Sequence, residues 1–188
     1  VTYWGDFYML NYVHIGDKGS LKTLLFIHGS GCNHKIFGEV CKYLADYNCI
    51  VIDLNGHGES KGECSPTVEG YMDNVVDFIK NSEVIKNQKN ITIIGYSMGG
   101  GIVLGIALKK LPNIKKVIVL SGSDRFKFNE DFMKKIRRNE LDQDYMLQCC
   151  GSEPNPLILK YCQIMEQNPK IMINDLIACE NFDISNEI

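Results

Sequence analysis

Short runs of apolar and β-branched residues, each closed by a glycine-bearing turn, set the rhythm of this chain. Leu24-Leu25-Phe26-Ile27, Cys49-Ile50-Val51-Ile52 and Ile91-Thr92-Ile93-Ile94 carry almost no polar interruption. Apolarity that is continuous rather than alternating marks strands buried on both faces, as in a parallel sheet. A fourth run, Lys116-Val117-Ile118-Val119-Leu120, ends at Ser121-Gly122-Ser123, and Met9 to Gly16 reads as a further strand. The residues before Met9 read as an upstream extension or the stub of an earlier strand. Between the strands the period changes: Val68, Tyr71, Met72, Val75, Val76 and Ile79 recur at helical spacing on one face. Ser65 is expected to cap that helix, with Pro66 at its first position. Alternating strands and helices predict an α/β fold, a mostly parallel sheet with helices on both faces. In such a sheet the site lies at the carboxyl ends of the strands.

From Arg125 to Asp183 no strand-like run occurs. Helical segments rich in Lys, Glu, Asp and Asn are broken at Gly151-Ser152-Glu153-Pro154-Asn155-Pro156 and at Asn168-Pro169. A helical insertion over the strand ends is one reading, a solvated helical tail the other. No internal repeat or low-complexity tract interrupts the chain.

Length and composition narrow the function classes. The 188 residues suit one domain, since domains hold roughly 100–200 residues. A formal net charge of -3 gives no electrostatic reason to expect nucleic acid or an anionic membrane as partner. The eight cysteines (32, 41, 49, 64, 149, 150, 162 and 179) form no zinc-ligand spacing and read as small buried hydrophobes. No metal or cofactor is expected. No apolar run approaches the ~20 residues of a membrane helix and no signal-peptide pattern is present, so a reducing cytoplasm is the expected location. Without a secretory signal, the acceptor-like Asn90-Ile91-Thr92 reads as an accident of loop sequence.

The chemistry concentrates in three turns. Gly95-Tyr96-Ser97-Met98-Gly99 follows an apolar strand and precedes the apolar helical segment Gly100 to Leu108. This is G-x-S-x-G in the strand-turn-helix setting that lifts a serine above a sheet, with Tyr96 beside it. Its bland alternative is a close-packing turn with Ser97 as an N-cap. His28-Gly29-Ser30-Gly31 follows the strand ending at Ile27 and can aim backbone N–H groups at the same point. An oxyanion needs two such donors, and Met98 and Ser30 are the expected pair. His28 reads as an orienting residue of this loop. His34 either lines the pocket or faces solvent.

The third turn is Asp53-Leu54-Asn55-Gly56-His57-Gly58-Glu59-Ser60. In order and spacing, the His28 to Gly31 loop, the Asp53 to Ser60 turn and the Gly95 to Gly100 elbow resemble the three N-terminal landmarks of the α/β-hydrolase fold family. The resemblance is to its lipase/esterase-like branch with a helical cap. It implies a core over residues 1–124, a cap over 125–183, and a start of the return to the core over 184–188. It also implies a serine hydrolase of carboxylic esters or thioesters, working through an acyl-enzyme on Ser97, with a small-molecule substrate met by His28, Gly29, Gly31 and Tyr96. His57 is then a turn-stabilising residue. Hydrolysis of a carbon–carbon bond or a peptide stays open on the same scaffold.

In this family the acid and the histidine follow the serine, and no histidine follows Ser97 here. Asp124 stands where some members carry the acid; it also reads as an ordinary loop aspartate. The expectation is that residues beyond Ile188 supply the base, leaving a sheet edge through which the chain self-associates. The competing class is a fragment or pseudoenzyme that binds a ligand or partner without turnover.

Overall fold

A computed structural model of the chain describes residues 10–141 and 169–188. Its five strands are β1 (Tyr12–Gly16), β2 (Thr23–Ile27), β3 (Asn48–Ile52), β4 (Ile91–Tyr96) and β5 (Ile114–Leu120), in the sheet order β1-β3-β2-β4-β5. β1 pairs antiparallel with β3, and the other pairings are parallel. The continuously apolar runs are the central strands, and every residue of β2 and β3 is buried. The register aligns Ile27 with Ile52 and with Gly95, and Tyr96 with Leu120. The turns after β2, β3, β4 and β5 therefore emerge at one level of the sheet.

Side-chain alternation sends each strand's residues to two cores. Leu25, Ile27, Ile50, Ile52, Ile91 and Ile93 pack with α2 (Val68–Asn81) and α3 (Met98–Leu108) on one face. Leu24, Phe26, Cys49, Val51 and Ile94 meet Ile36, Phe37 and Cys41 on the other, around the short helix α1 (Gly38–Cys41) and the 3-10 turn His34–Phe37. The spacing read for α2 holds: Val68, Tyr71, Val75, Val76 and Ile79 are buried. Each such side chain contributes on the order of 2 kcal/mol by leaving water.

The cap of α2 differs from expectation. Thr67, not Ser65, is the N-cap, with extended backbone and its Oγ1 accepting the Gly70 N–H at 3.1 Å. Ser65 instead accepts the Thr67 N–H in a local turn, so Pro66 lies before the helix. A hydroxyl three residues before the N–H it caps satisfies a first-turn donor, and only Thr67 has that offset from Gly70.

Two further helices complete the described residues, α4 (Glu130–Arg137) and α5 (Pro169–Glu180). They pack through Phe132, Met133, Ile136, Met172, Ile173 and Leu176. The end of α5 and the segment after it join the main core through Ala178, Cys179, Phe182 and Ile184. Among the described residues β5 is a sheet edge, with Ile118 and Leu120 each 42% exposed. No described helix is long and apolar enough to cross a membrane. Cys32, Cys41, Cys49 and Cys179 are buried and Cys64 is half-buried. Met9, the breaks at 151–156 and at Asn168, and Cys149, Cys150 and Cys162 lie outside the described residues.

Candidate active site

Ser97 sits where β4 gives way to α3, at φ 53° and ψ -119°. A positive φ on a non-glycine residue costs of order 1–3 kcal/mol and persists only where its surroundings fix it. Here the Ser97 N–H donates to the Leu120 carbonyl at 2.9 Å, and its own carbonyl accepts the Gly100 N–H at 2.8 Å. The neighbours must be small. A Cβ on Gly99 would lie 2.4 Å from the Ile27 carbonyl oxygen and 2.6 Å from that of His28. The helix start is thereby seated against the end of β2. Met98, the first residue of α3, is fully buried.

The loop after β2 lies directly on this serine. A Cβ on Gly29 would approach Ser97 Cβ to 2.9 Å and the Tyr96 carbonyl to 3.0 Å, so only glycine permits the contact. Cys32 N–H donates to the Gly29 carbonyl at 3.2 Å, closing a four-residue turn with Ser30 and Gly31 at its centre. Gly31 has φ +61°, as glycine at that turn position allows. Ser97, Gly29, Ser30 and Gly31 are thus brought together, with Tyr96 about one-third exposed beside them.

Two buried polar knots hold the neighbouring turns. In the first, the Asp53 carboxylate accepts the N–H groups of His34 and Glu59, the Asn11 amide and the His34 ring. Burial alone would raise its pKa, but these donors together hold it below the ordinary carboxylate value. His34, left open by the sequence, is therefore tied to Asp53.

The second knot centres on Asp175 of α5, which is fully buried. Its Oδ2 accepts the Gly31 N–H at 2.8 Å and lies 2.8 Å from His57 Nε2. Its Oδ1 accepts the Tyr71 hydroxyl at 2.6 Å. Burial pulls the His57 pKa down, yet the hydrogen bond and charge of Asp175, with the Asn55 carbonyl on Nδ1, hold it above its ordinary value. His28 lies tilted against His57, with 4.9 Å between ring centroids and 52° between ring planes. Burial, then the charge of His57, pushes the His28 pKa down to about 3, and the neutral ring accepts the Leu54 N–H through Nε2 at 3.0 Å.

Asp124, the sequence's candidate acid, follows β5 and accepts the hydroxyl of its neighbour Ser123 at 3.0 Å. Its carbonyl accepts the Ile184 N–H. His14, the remaining histidine, pairs with Asn48. Among the described residues no group of three or more His, Cys, Asp or Glu is arranged to hold a metal ion. Asp175 is the residue that sequence reasoning passed over. Its signal was a carboxylate at helical spacing from Met172 and Cys179 on an otherwise apolar face.

An α/β sheet with a strained serine on a strand-to-helix turn, under a glycine loop from the neighbouring strand, is the architecture of an α/β hydrolase. Residues 22–143 match the family profile described as alpha/beta hydrolase fold, and the chain belongs to that family. It superposes on a lipase-esterase related protein from Clostridium acetobutylicum with TM-score 0.92 and 64% identity, covering 95% of this chain and 74% of that one. It is also similar to the 2-succinyl-6-hydroxy-2,4-cyclohexadiene-1-carboxylate synthase of Escherichia coli O9:H4. That relative is 30% identical over 84% of this chain, and the chain spans 59% of its length. An esterase from Exiguobacterium antarcticum, at 20% identity and TM-score 0.74 over 94% of this chain and 70% of that one, shares the fold.

Proposed function

We propose that the protein is a serine hydrolase of carboxylic esters or thioesters, with Ser97 as nucleophile. The observation that carries this reading is the strained Ser97 backbone, seated in contact with the Gly29–Cys32 turn at the carboxyl ends of the strands. The likeness to a lipase-esterase related protein at 64% identity supports it. Ser97 Oγ bonds to the acyl carbon while the bond to the alcohol or thiol breaks; the leaving group departs with the serine's proton. Water then splits the acyl-enzyme, giving the acid and free Ser97. The Met98 and Ser30 N–H groups hold the oxyanion.

This reading assigns the general base to none of the four histidines. His14, His28, His34 and His57 all engage other partners, and all precede Ser97. Asp124 is the candidate acid within the chain. The test is hydrolysis of p-nitrophenyl butyrate, together with fluorophosphonate labelling, by the full chain and by Ser97→Ala. Labelling and turnover that Ser97→Ala abolishes are expected; labelling that survives the substitution sinks the proposal.

A second reading is favoured by the 30% identity to proteins named as a synthase. In that case Ser97 labels with the fluorophosphonate, but the full chain turns over no ester and forms 2-succinyl-6-hydroxy-2,4-cyclohexadiene-1-carboxylate. Neither labelling nor turnover would leave the non-catalytic class standing.

A further inference from the structure

The oxyanion loop has a second neighbour besides Ser97, and it is helix α5. Met172, Asp175 and Cys179 lie three and four residues apart, on one helical face. All three touch the turn. A Cβ on Gly31 would lie 2.7 Å from Met172 Cε and 3.2 Å from its Cα. The Gly31 N–H donates to Asp175 Oδ2, and Cys179 Sγ lies 3.7 Å from Ser30 Oγ.

The turn has two central N–H groups, those of Ser30 and Gly31. Asp175 takes the second, leaving Ser30 as the central donor that can face a substrate. The carboxylate is itself held. His57 approaches Oδ2, while Tyr71 and the Asn174 amide donate to Oδ1 at 2.6 and 3.4 Å. His57 belongs to the turn after β3 and Tyr71 to α2, so one buried side chain joins three elements to the loop.

Resting on the reading of Ser97 as nucleophile, we infer that Asp175 is the positioning residue of the oxyanion loop. By holding the Gly31 N–H it fixes the Gly29–Cys32 turn in the conformation that presents the Ser30 N–H to the acyl oxygen. Asp175 touches no substrate; it acts through the loop.

The test compares variants of the full chain on p-nitrophenyl butyrate. Asp175→Leu, which fills the space without an acceptor, is expected to lower kcat about 100-fold, as removing an oxyanion donor does, with KM little changed. Asp175→Asn keeps the size and one oxygen able to accept from Gly31, and should restore kcat to within about tenfold of the parent. Val75→Ala, in the main core, is the control for lost stability without loop contact. If Asp175→Leu does not fold, Asp175→Ser, too short to reach Gly31, takes its place with the same expected loss. A kcat no lower than that of Val75→Ala at equal distance below Tm overturns the inference, as does an Asp175→Asn variant no better than Asp175→Leu. Absence of Ser97 labelling in the parent protein overturns the nucleophile reading instead, so the two failures are separable.

Discussion

Ser97 and Asp175 approach the same turn from its two ends, and they are held by opposite means. Ser97 is a small side chain on a backbone forced to φ 53°, braced by hydrogen bonds of its own main chain and by bare glycine contacts. Asp175 sits in a relaxed helix, and its side chain does the holding, with both carboxylate oxygens engaged in a fully buried setting. The elbow stores strain; the knot beside it stores compensated charge. Removing a side chain should therefore relieve the first and damage the second.

Ser97→Gly breaks the comparison most sharply. On the proposed reading of Ser97 as nucleophile, turnover should fall by about 10⁴-fold or more. Stability should rise by about 1 kcal/mol, because glycine adopts a positive φ without the steric penalty. Parallel kinetics and denaturant titration check both; a less stable Ser97→Gly would mean that the elbow is not strained. His57→Leu probes the other side. It leaves the buried Asp175 carboxylate without its imidazole partner and should cost about 4 kcal/mol, read as a fall in denaturant midpoint at constant m. Gly99→Ala tests whether close approach is what seats the elbow. The added methyl meets two backbone carbonyls that cannot rotate away, and a loss of about 3 kcal/mol is expected. Wild-type stability in that variant would show that the contact with β2 can relax.

The same contrast explains what was legible in the sequence. The turn at Ser97 is local: strand, glycines, serine and helix fall within about 18 consecutive residues, so the pattern from Ile91 to Leu108 carries its conformation together with the proposed nucleophile. The strands were legible because β2 and β3 are buried on both faces and can tolerate little but apolar residues. The knot is non-local. Asp175 lies 144 residues from Gly31, 118 from His57 and 104 from Tyr71. No periodicity encodes such a meeting. His57 was read as a turn residue from its glycine flanks, while the partner that sets its charge came from a helix read only as a mixed cap segment. The cap of α2 failed for a smaller reason, since Ser65 and Thr67 offer the same chemistry and only the chain's path selects between them.

The smallest effect expected is the alkaline limb of the pH dependence of stability, and that dependence separates two rings in contact. His28 and His57 pack at 4.9 Å between ring centroids but shift in opposite directions. His28, pushed down to about 3, stays neutral in the fold while the unfolded chain protonates below 6.5. Acid therefore favours unfolding, and stability falls as pH drops from 6.5 toward 3. Asp53, held below its ordinary 3.8, adds to that loss at the acid end, because protonating it releases its donors. His57 works the other way. Its proton is bound more tightly in the fold than in the unfolded chain, so its contribution is complete below 6.5 and is lost as pH rises through its raised folded value. Stability from these groups should peak near 6.5, with an alkaline limb that belongs to His57. Thermal melts of the parent and of His57→Gln across that range provide the check. Glutamine keeps a donor for Asp175 without a titrating charge, so the alkaline limb should flatten while the acid limb keeps its slope. An unchanged alkaline limb in His57→Gln would mean that Asp175 is held by hydrogen bonding alone, with no charge on its partner.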